Sequence, residues 1–385
     1  MKVHAKQIEF MRIFNDGKNV IDSWVPQNIN NSEAKIDVLD FFCCAGGMTL
    51  GFASLHEVFH VLGGIDINPV SLKSYKGNYG TATLQADIST ITPEATIVRD
   101  TFTIEPQRPL VIIGCAPCQG FSAHRKKDHN KPEDERNTLI GYFADIAVSL
   151  NPDFIVMENV PEILNGKYKK HYEEAKTVFQ QHGYHVCQQI YNAAGFGVPQ
   201  ARNRAIIVAS KYETFELPQE ILKEENYKTV RDAIADLPPV EARKQIVLTD
   251  KYHRCSTHKQ STIDVIARVP HDGGTRPKGV GPRCLDKVKG FSDVYGRLRW
   301  DKPSVTITQY ARNPASGRYS HPEQDRGLTI REAARLQSFP DGYYWEGSLG
   351  ENFRQIGEAV PPLLSLAIAT QIALFYKTKE HEQAI

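Results

Sequence analysis

The chain has 385 residues, 41% of them apolar, and 46 Lys and Arg against 45 Asp and Glu for a net charge of +1. That length fills one large domain or two modest ones, and no apolar run in it reaches the ~18 residues of a membrane span. The first twenty residues lack the apolar centre of a secretory signal. Seven cysteines, an odd number with Cys43 and Cys44 adjacent, do not make the disulfide framework of a secreted domain. These features predict a cytoplasmic protein without a membrane partner.

Residues 1–35 show no clear period, end in a polar stretch and are expected to be an extension. Short apolar runs then recur at 36–42, 58–65, 109–114, 153–157 and 204–209 with longer mixed segments between them. This alternation predicts an α/β domain with a mostly parallel sheet over 36–210. Between 211 and 327 the pattern weakens and Gly, Pro and charged residues become frequent, which predicts a separate smaller domain. Thr329-Ile330-Arg331-Glu332 has the form of a capping box and opens a helix through Leu336, and 363–376 is apolar enough to lay a helix on the sheet. Residues 328–385 are therefore expected to return to the first domain.

The first strand runs into Asp40-Phe41-Phe42-Cys43-Cys44-Ala45-Gly46-Gly47. Paired glycines before a helix let a ligand approach the backbone, and the helix start favours an anionic group. Asp66 follows the second strand, where a carboxylate accepts hydrogen bonds from ribose hydroxyls. The pattern points to an adenosine-containing cofactor, and the absence of G-x-G-x-x-G disfavours a nicotinamide one. Taken alone, the same residues also describe a tight turn with a solvated acid.

After the 109–114 strand comes Gly114-Cys115-Ala116-Pro117-Cys118-Gln119-Gly120-Phe121-Ser122. A thiol-redox pair is one reading of Cys115 and Cys118. A zinc site is another, but Cys255, His253 and His258 offer a second ligand set without the usual finger spacing. Two further segments, Met157-Glu158-Asn159-Val160 and Gln200-Ala201-Arg202-Asn203-Arg204, follow later apolar runs. Arginines at alternate strand positions would share one face and grip a carboxylate and a base carbonyl together.

Together these segments resemble the G-x-x-P-C-Q-x-F-S, E-N-V and Q-x-R-x-R motifs of the DNA cytosine-5 methyltransferase family, bacterial restriction-modification or orphan type. The resemblance extends from about Asp37 to Leu374, through Arg331-Glu332-Ala333-Ala334-Arg335-Leu336-Gln337 and Gln355-Ile356-Gly357-Glu358-Ala359-Val360-Pro361. It implies a Rossmann-like S-adenosylmethionine-dependent fold with a smaller target-recognition domain. Cys118 would be the nucleophile that adds to carbon 6 of a flipped-out cytosine. Glu158 would offset the charge that builds at ring nitrogen 3, and Arg204, with Arg202 beside it, would hold the ring carbonyl. The implied cofactor contacts are Phe42, Gly46, Gly47, Asp66, Ile67, Asp87, Ile88, Pro117, Leu139 and Val360. Cys44 and Glu358 depart from the Gly and Asn usual in the family.

Over 241–300, 13 Lys and Arg stand against 6 Asp and Glu, an excess of +7. Such a segment suits a phosphate backbone. Gln119, Ser122, Arg125, Gln200, Arg276, Arg297 and Arg299 are the expected contacts to double-stranded DNA. A monomer associated with the nucleoid and working beside a cognate restriction endonuclease is the implied setting. Three rivals remain: a methyltransferase acting on transfer RNA, a catalytically silent DNA-binding protein on the same fold, and a thiol oxidoreductase.

Overall fold

The computed structural model describes residues 2–27, 33–117, 138–241, 249–287 and 292–383. At its centre is a sheet of seven strands: β1 (Ile36–Phe41), β2 (Phe59–Asp66), β3 (Ala82–Gln85), β4 (Leu110–Gly114), β5 (Phe154–Asn159), β6 (His185–Asn192) and β7 (Asn203–Ser210). Their spatial order is β3-β2-β1-β4-β5-β7-β6. β1 to β5 run parallel, whereas β7 lies antiparallel to both β5 and β6. This is the Rossmann-like α/β arrangement. The chain winds one way from β1 to β3 and the other way from β4 onward, so a crevice opens beyond the carboxyl ends of β1 and β4, where such folds take ligands.

Alternate residues of one strand serve two cores, as the pleat requires. Val38, Val111, Ile113, Val156 and Ile206 join the first, while Leu39, Ile112, Ile155, Met157 and Ile207 join the second. The first core is covered by α1 (Lys2–Asp22), α2 (Gly47–Ala53) and α3 (Pro69–Tyr79). The second is covered by α4 (Thr96–Thr101), α5 (Leu139–Ser149) and α6 (Lys169–Gln181). Asn68 caps α3 by accepting from the N–H groups of Val70 and Ser71, with Pro69 at the first helical position, a strong helix start.

The expected amino-terminal extension is thus a helix. Phe10, Ile13, Phe14 and Ile21 form its apolar stripe and are buried in the first core. Two further segments escape the apolar pattern. β3 is only four residues long, and β6 is an edge strand with polar, exposed Gln188 and Gln189.

Between 211 and 327 the described residues form short helices, α7 (Val230–Ile234), α8 (Gln260–Ile266) and α9 (Cys284–Lys287), but no named strand. A third, smaller core of Val265, Ile266, Val269, Val294 and Tyr295 sits here. The chain then returns through α10 (Ile330–Leu336), α11 (Leu349–Glu358) and α12 (Pro362–Gln383). The expected capping box of α10 is present, Thr329 and Glu332 exchanging side-chain and backbone hydrogen bonds. Arg326 and Glu332, each 1% exposed, form a buried ion pair at 2.7 Å across the expected boundary at 327/328. Leu349–Lys379 is long and apolar enough to cross a membrane, contrary to the sequence expectation, but 83% of its most apolar window is buried in the protein. It is a core segment, with α12 packed on α1 and α2.

Candidate active site

The turn after β1 and the end of β2 form one wall of the crevice. Asp66 Oδ2 accepts from Cys44 N–H and Oδ1 from Asn68 N–H, both at 2.8 Å. Burial pushes the Asp66 carboxyl upward and those N–H donors oppose the shift. Gly46 takes a left-handed φ of 94° as the cap of α2. A β-carbon on Gly47 would stand 2.6 Å from the Val360 carbonyl oxygen, so this helix start is closed against the carboxyl-terminal segment. Ile67 leaves its side chain 62% exposed beside Asp66. Asp87 follows β3 and caps a short turn through Ser89, while Ile88 is buried in the core behind it. Phe42 lies half-buried against Phe143 of α5, the helix that Leu139 opens.

These residues fit an adenosine-type cofactor. A carboxylate is available for the ribose and an exposed aliphatic face for the base. Cys44, where glycine is usual, takes φ 48°, a region that costs a non-glycine residue on the order of 1 kcal/mol. Glu358 lies 3.2 Å from Arg354. Burial raises its carboxyl, Arg354 opposing.

One step before this turn, Asp40 is 1% exposed. Thr49 Oγ1 donates to its Oδ2 at 2.5 Å. Burial pushes this carboxyl from its ordinary 3.8 up to about 8, so it holds its proton at neutral pH. A carboxyl that binds its proton more tightly folded than unfolded costs stability as pH climbs between the two values. Urea midpoints should therefore fall between pH 5 and pH 9 in the native protein and fall less in Asp40→Asn. Equal slopes in the two proteins would refute this assignment.

The other wall is built by β4, β5 and β7. Cys118, Gln119, Ser122 and Arg125 lie outside the described residues. The peptide leading to them is held on both sides: Cys115 N–H donates to Phe41 O at 3.4 Å, and Asn159 Nδ2 donates to Ala116 O at 3.3 Å. Pro117, half-buried, ends this described stretch. Next to Asn159, the Glu158 carboxyl sits 2.7 Å from Arg204 Nε, their side chains 10% and 13% exposed. The contact is an ion pair without hydrogen-bond alignment, since buried Glu158 Oε1 has no hydrogen-bond partner. The pair exists because β7 runs antiparallel to β5 and sets Asn159 opposite Ala205.

Four expected contacts have other work. Arg202 precedes β7 and is 3% exposed. Its Nη1 donates to Ile307 O at 3.0 Å and its Nη2 to Ala359 O at 3.2 Å, so it tacks backbone together and does not share the Glu158 face. Gln200 is fully buried, donating to Leu336 O and Gln337 Oε1 and accepting from Ile307 N–H. Arg297 is 0% exposed and spends its donors on the carbonyls of Ile266, Val269, His321 and Gln324 and on Asp325. Arg276 pairs with Asp286 at 3.0 Å and donates to Val280 O. A guanidinium enclosed in this way cannot also reach a base or phosphate. Of the three arginines expected to contact DNA in 211–327, only Arg299 is exposed, lying over Gly273. On the zinc reading, His253 uses its ring nitrogens on Thr329 Oγ1 and Pro238 O, and His258 Nε2 accepts from Gly327 N–H.

Comparison with known proteins agrees with this architecture. The model of the family described as C-5 cytosine-specific DNA methylase matches residues 36–374. The Type II methylase M.HgiDII of Herpetosiphon aurantiacus is 33% identical over 362 residues, which are 90% of this chain and 98% of that protein. The Type II methyltransferase M1.HphI of Haemophilus parahaemolyticus is 34% identical over 338 residues, 87% of this chain and 86% of that one. Among solved structures, the methyltransferase EhMeth of Entamoeba histolytica shares the fold at a TM-score of 0.62 and 15% identity, covering 90% of this chain and 99% of that one. With strand order, crevice and the Glu158–Arg204 pair in place, the chain belongs to the C-5 cytosine-specific DNA methylase family and is an S-adenosylmethionine-dependent DNA cytosine-5 methyltransferase.

Proposed function

We propose that the chain methylates carbon 5 of a cytosine swung out of double-stranded DNA, with Cys118 as the covalent nucleophile. The observation that carries this reading is the Glu158–Arg204 pair beside the tethered peptide that runs from β4 into Cys118. Carbon 5 of cytosine is a weak nucleophile until a thiolate adds to carbon 6 and turns the ring into an enamine. Cys118 makes that bond. Glu158 faces ring nitrogen 3 and offsets the charge of the addition, its orientation set by Arg204. When bound along Asp66, Ile67, Asp87 and the 42–47 turn, S-adenosylmethionine supplies the sulfonium methyl group. Loss of the carbon 5 proton to water then expels the Cys118 thiolate from carbon 6 and restores the ring. Extruding the base costs a few kcal/mol, and Arg299, exposed to solvent, shares in holding the duplex.

The relatives named Type II methyltransferases support duplex DNA as substrate and a restriction-modification setting. A cognate endonuclease as functional partner, a monomeric enzyme and a cytoplasmic, nucleoid-associated location complete the proposal. Tritiated S-adenosylmethionine offered with plasmid DNA or transfer RNA tests the substrate: label should enter the plasmid. DNA carrying 5-fluorocytosine should trap an adduct that survives denaturation and vanishes in Cys118→Ala. Preferential labelling of transfer RNA, or no adduct with the native enzyme, would overturn the reading.

A further inference from the structure

The turn that meets the cofactor is strained. Phe42, Cys44 and Gly46 take φ of 56°, 48° and 94°, and two of the three carry side chains that disfavour this region. Such backbone persists only where its surroundings over-determine it. From the sheet, Cys43 N–H donates to Ile65 O at 3.0 Å and Cys44 N–H to Asp66. From the opposite side come two buried tyrosine hydroxyls. Tyr79, the last residue of α3, donates to Gly46 O at 2.6 Å. Tyr343, which follows α10, donates to Ala45 O. The two hydroxyl oxygens lie 3.0 Å apart, and each has its one proton committed to a turn carbonyl.

These tyrosines are held by the segment that follows α1. Trp24 packs edge-on against Tyr79 at 5.6 Å and tilted against Tyr343 at 6.3 Å. Its carbonyl oxygen would lie 2.0 Å from a β-carbon on Gly342, the residue before Tyr343. Gln27 N–H donates to Asn78 O at 2.7 Å, beside Tyr79. The Trp24 indole N–H is buried without an acceptor among the described residues, so the ring contributes by packing.

We propose that the chain ahead of the first strand belongs to the cofactor site: Trp24 wedges the Tyr79 and Tyr343 hydroxyls against the Ala45 and Gly46 carbonyls, and so sets affinity for S-adenosylmethionine without touching it. The inference rests on the reading of Asp66 and the 42–47 turn as the cofactor wall. Trp24, Tyr79 and Tyr343 are positioning residues in this scheme. Loosening them lets the turn relax out of its binding conformation, which the cofactor must then restore at the cost of affinity.

The full chain is titrated calorimetrically with S-adenosylmethionine, and methylation of plasmid DNA is followed as its concentration varies. Trp24→Ala should raise Kd and KM for S-adenosylmethionine about tenfold, the scale of one strained residue released. Its kcat at saturation should stay within about twofold, and Trp24→Phe should recover most of the affinity. Tyr343→Phe, which removes one oxygen, should raise Kd severalfold and keeps the test open if Trp24→Ala fails to fold. Phe10→Ala, in α1 where that ring is buried in the first core, should lower Tm and leave Kd unchanged. The inference falls if Trp24→Ala and Tyr343→Phe bind S-adenosylmethionine like the native protein, or if Phe10→Ala weakens binding as much as Trp24→Ala does. Asp66→Ala separates the two levels. Normal binding there would remove the cofactor-wall reading itself, whereas lost binding there beside intact binding in Trp24→Ala removes only the present inference.

Discussion

Glu158→Gln is expected to slow methyl transfer to duplex DNA by roughly 10² to 10⁴, the range that a positioned proton-transferring group contributes. The glutamine keeps the shape and one acceptor but loses the charge that Arg204 faces at 2.7 Å and the capacity to share a proton with the base. Because the carboxyl lies on the β5 wall, away from Asp66 and the 42–47 turn, binding of S-adenosylmethionine should be unaffected. Single-turnover transfer at saturating cofactor and DNA isolates this step from product release. A rate within about tenfold of native would mean that Glu158 handles no proton in the reaction.

The second large effect is on stability. Arg297→Leu should cost about 3–5 kcal/mol, because the shorter leucine leaves four carbonyls and the Asp325 carboxylate without their donor. Lysine should not rescue it, since a single ammonium cannot serve acceptors spread around a planar fork. Arg299→Ala, two residues along and solvent-facing, should leave the urea midpoint in place and weaken duplex binding instead. Chemical denaturation together with a DNA titration of the three variants checks both halves. Equal destabilisation by the two arginine removals would contradict the assignment.

The contrast between those arginines shows where the sequence is opaque. Arg297 and Arg299 have the same parity, so a regular strand would turn both to one face. The stretch forms only an isolated bridge at Arg297, and one side chain goes inward while the other goes out. The same holds for Arg202 and Arg204, because β7 begins only at Asn203. A positive charge count reveals that guanidiniums are present and is silent on whether carbonyls or phosphates will satisfy them. By contrast, β4 and the first four residues of β5 were legible because buried parallel strands are written as apolar runs, β1 despite its two buried aspartates, and the α10 capping box because its partners are local. The amino-terminal helix carried a readable signal as well. Phe10, Ile13, Phe14 and Ile21 recur at helical spacing, and the polar residues between them obscured it. Tyr79 and Tyr343, 264 residues apart, could not have been paired from the sequence, since only the tertiary fold brings them to one turn.

The seam at Gln200 and Arg202 constrains how duplex DNA is met. Side chains from this one pentapeptide fasten Ile307, Leu336 at the end of α10 and Ala359 before α12 through buried hydrogen bonds, so three segments far apart in the chain are tied at one point. Parting them there would strip several desolvated polar groups of their partners at once. Any motion that admits a base must therefore leave this seam intact.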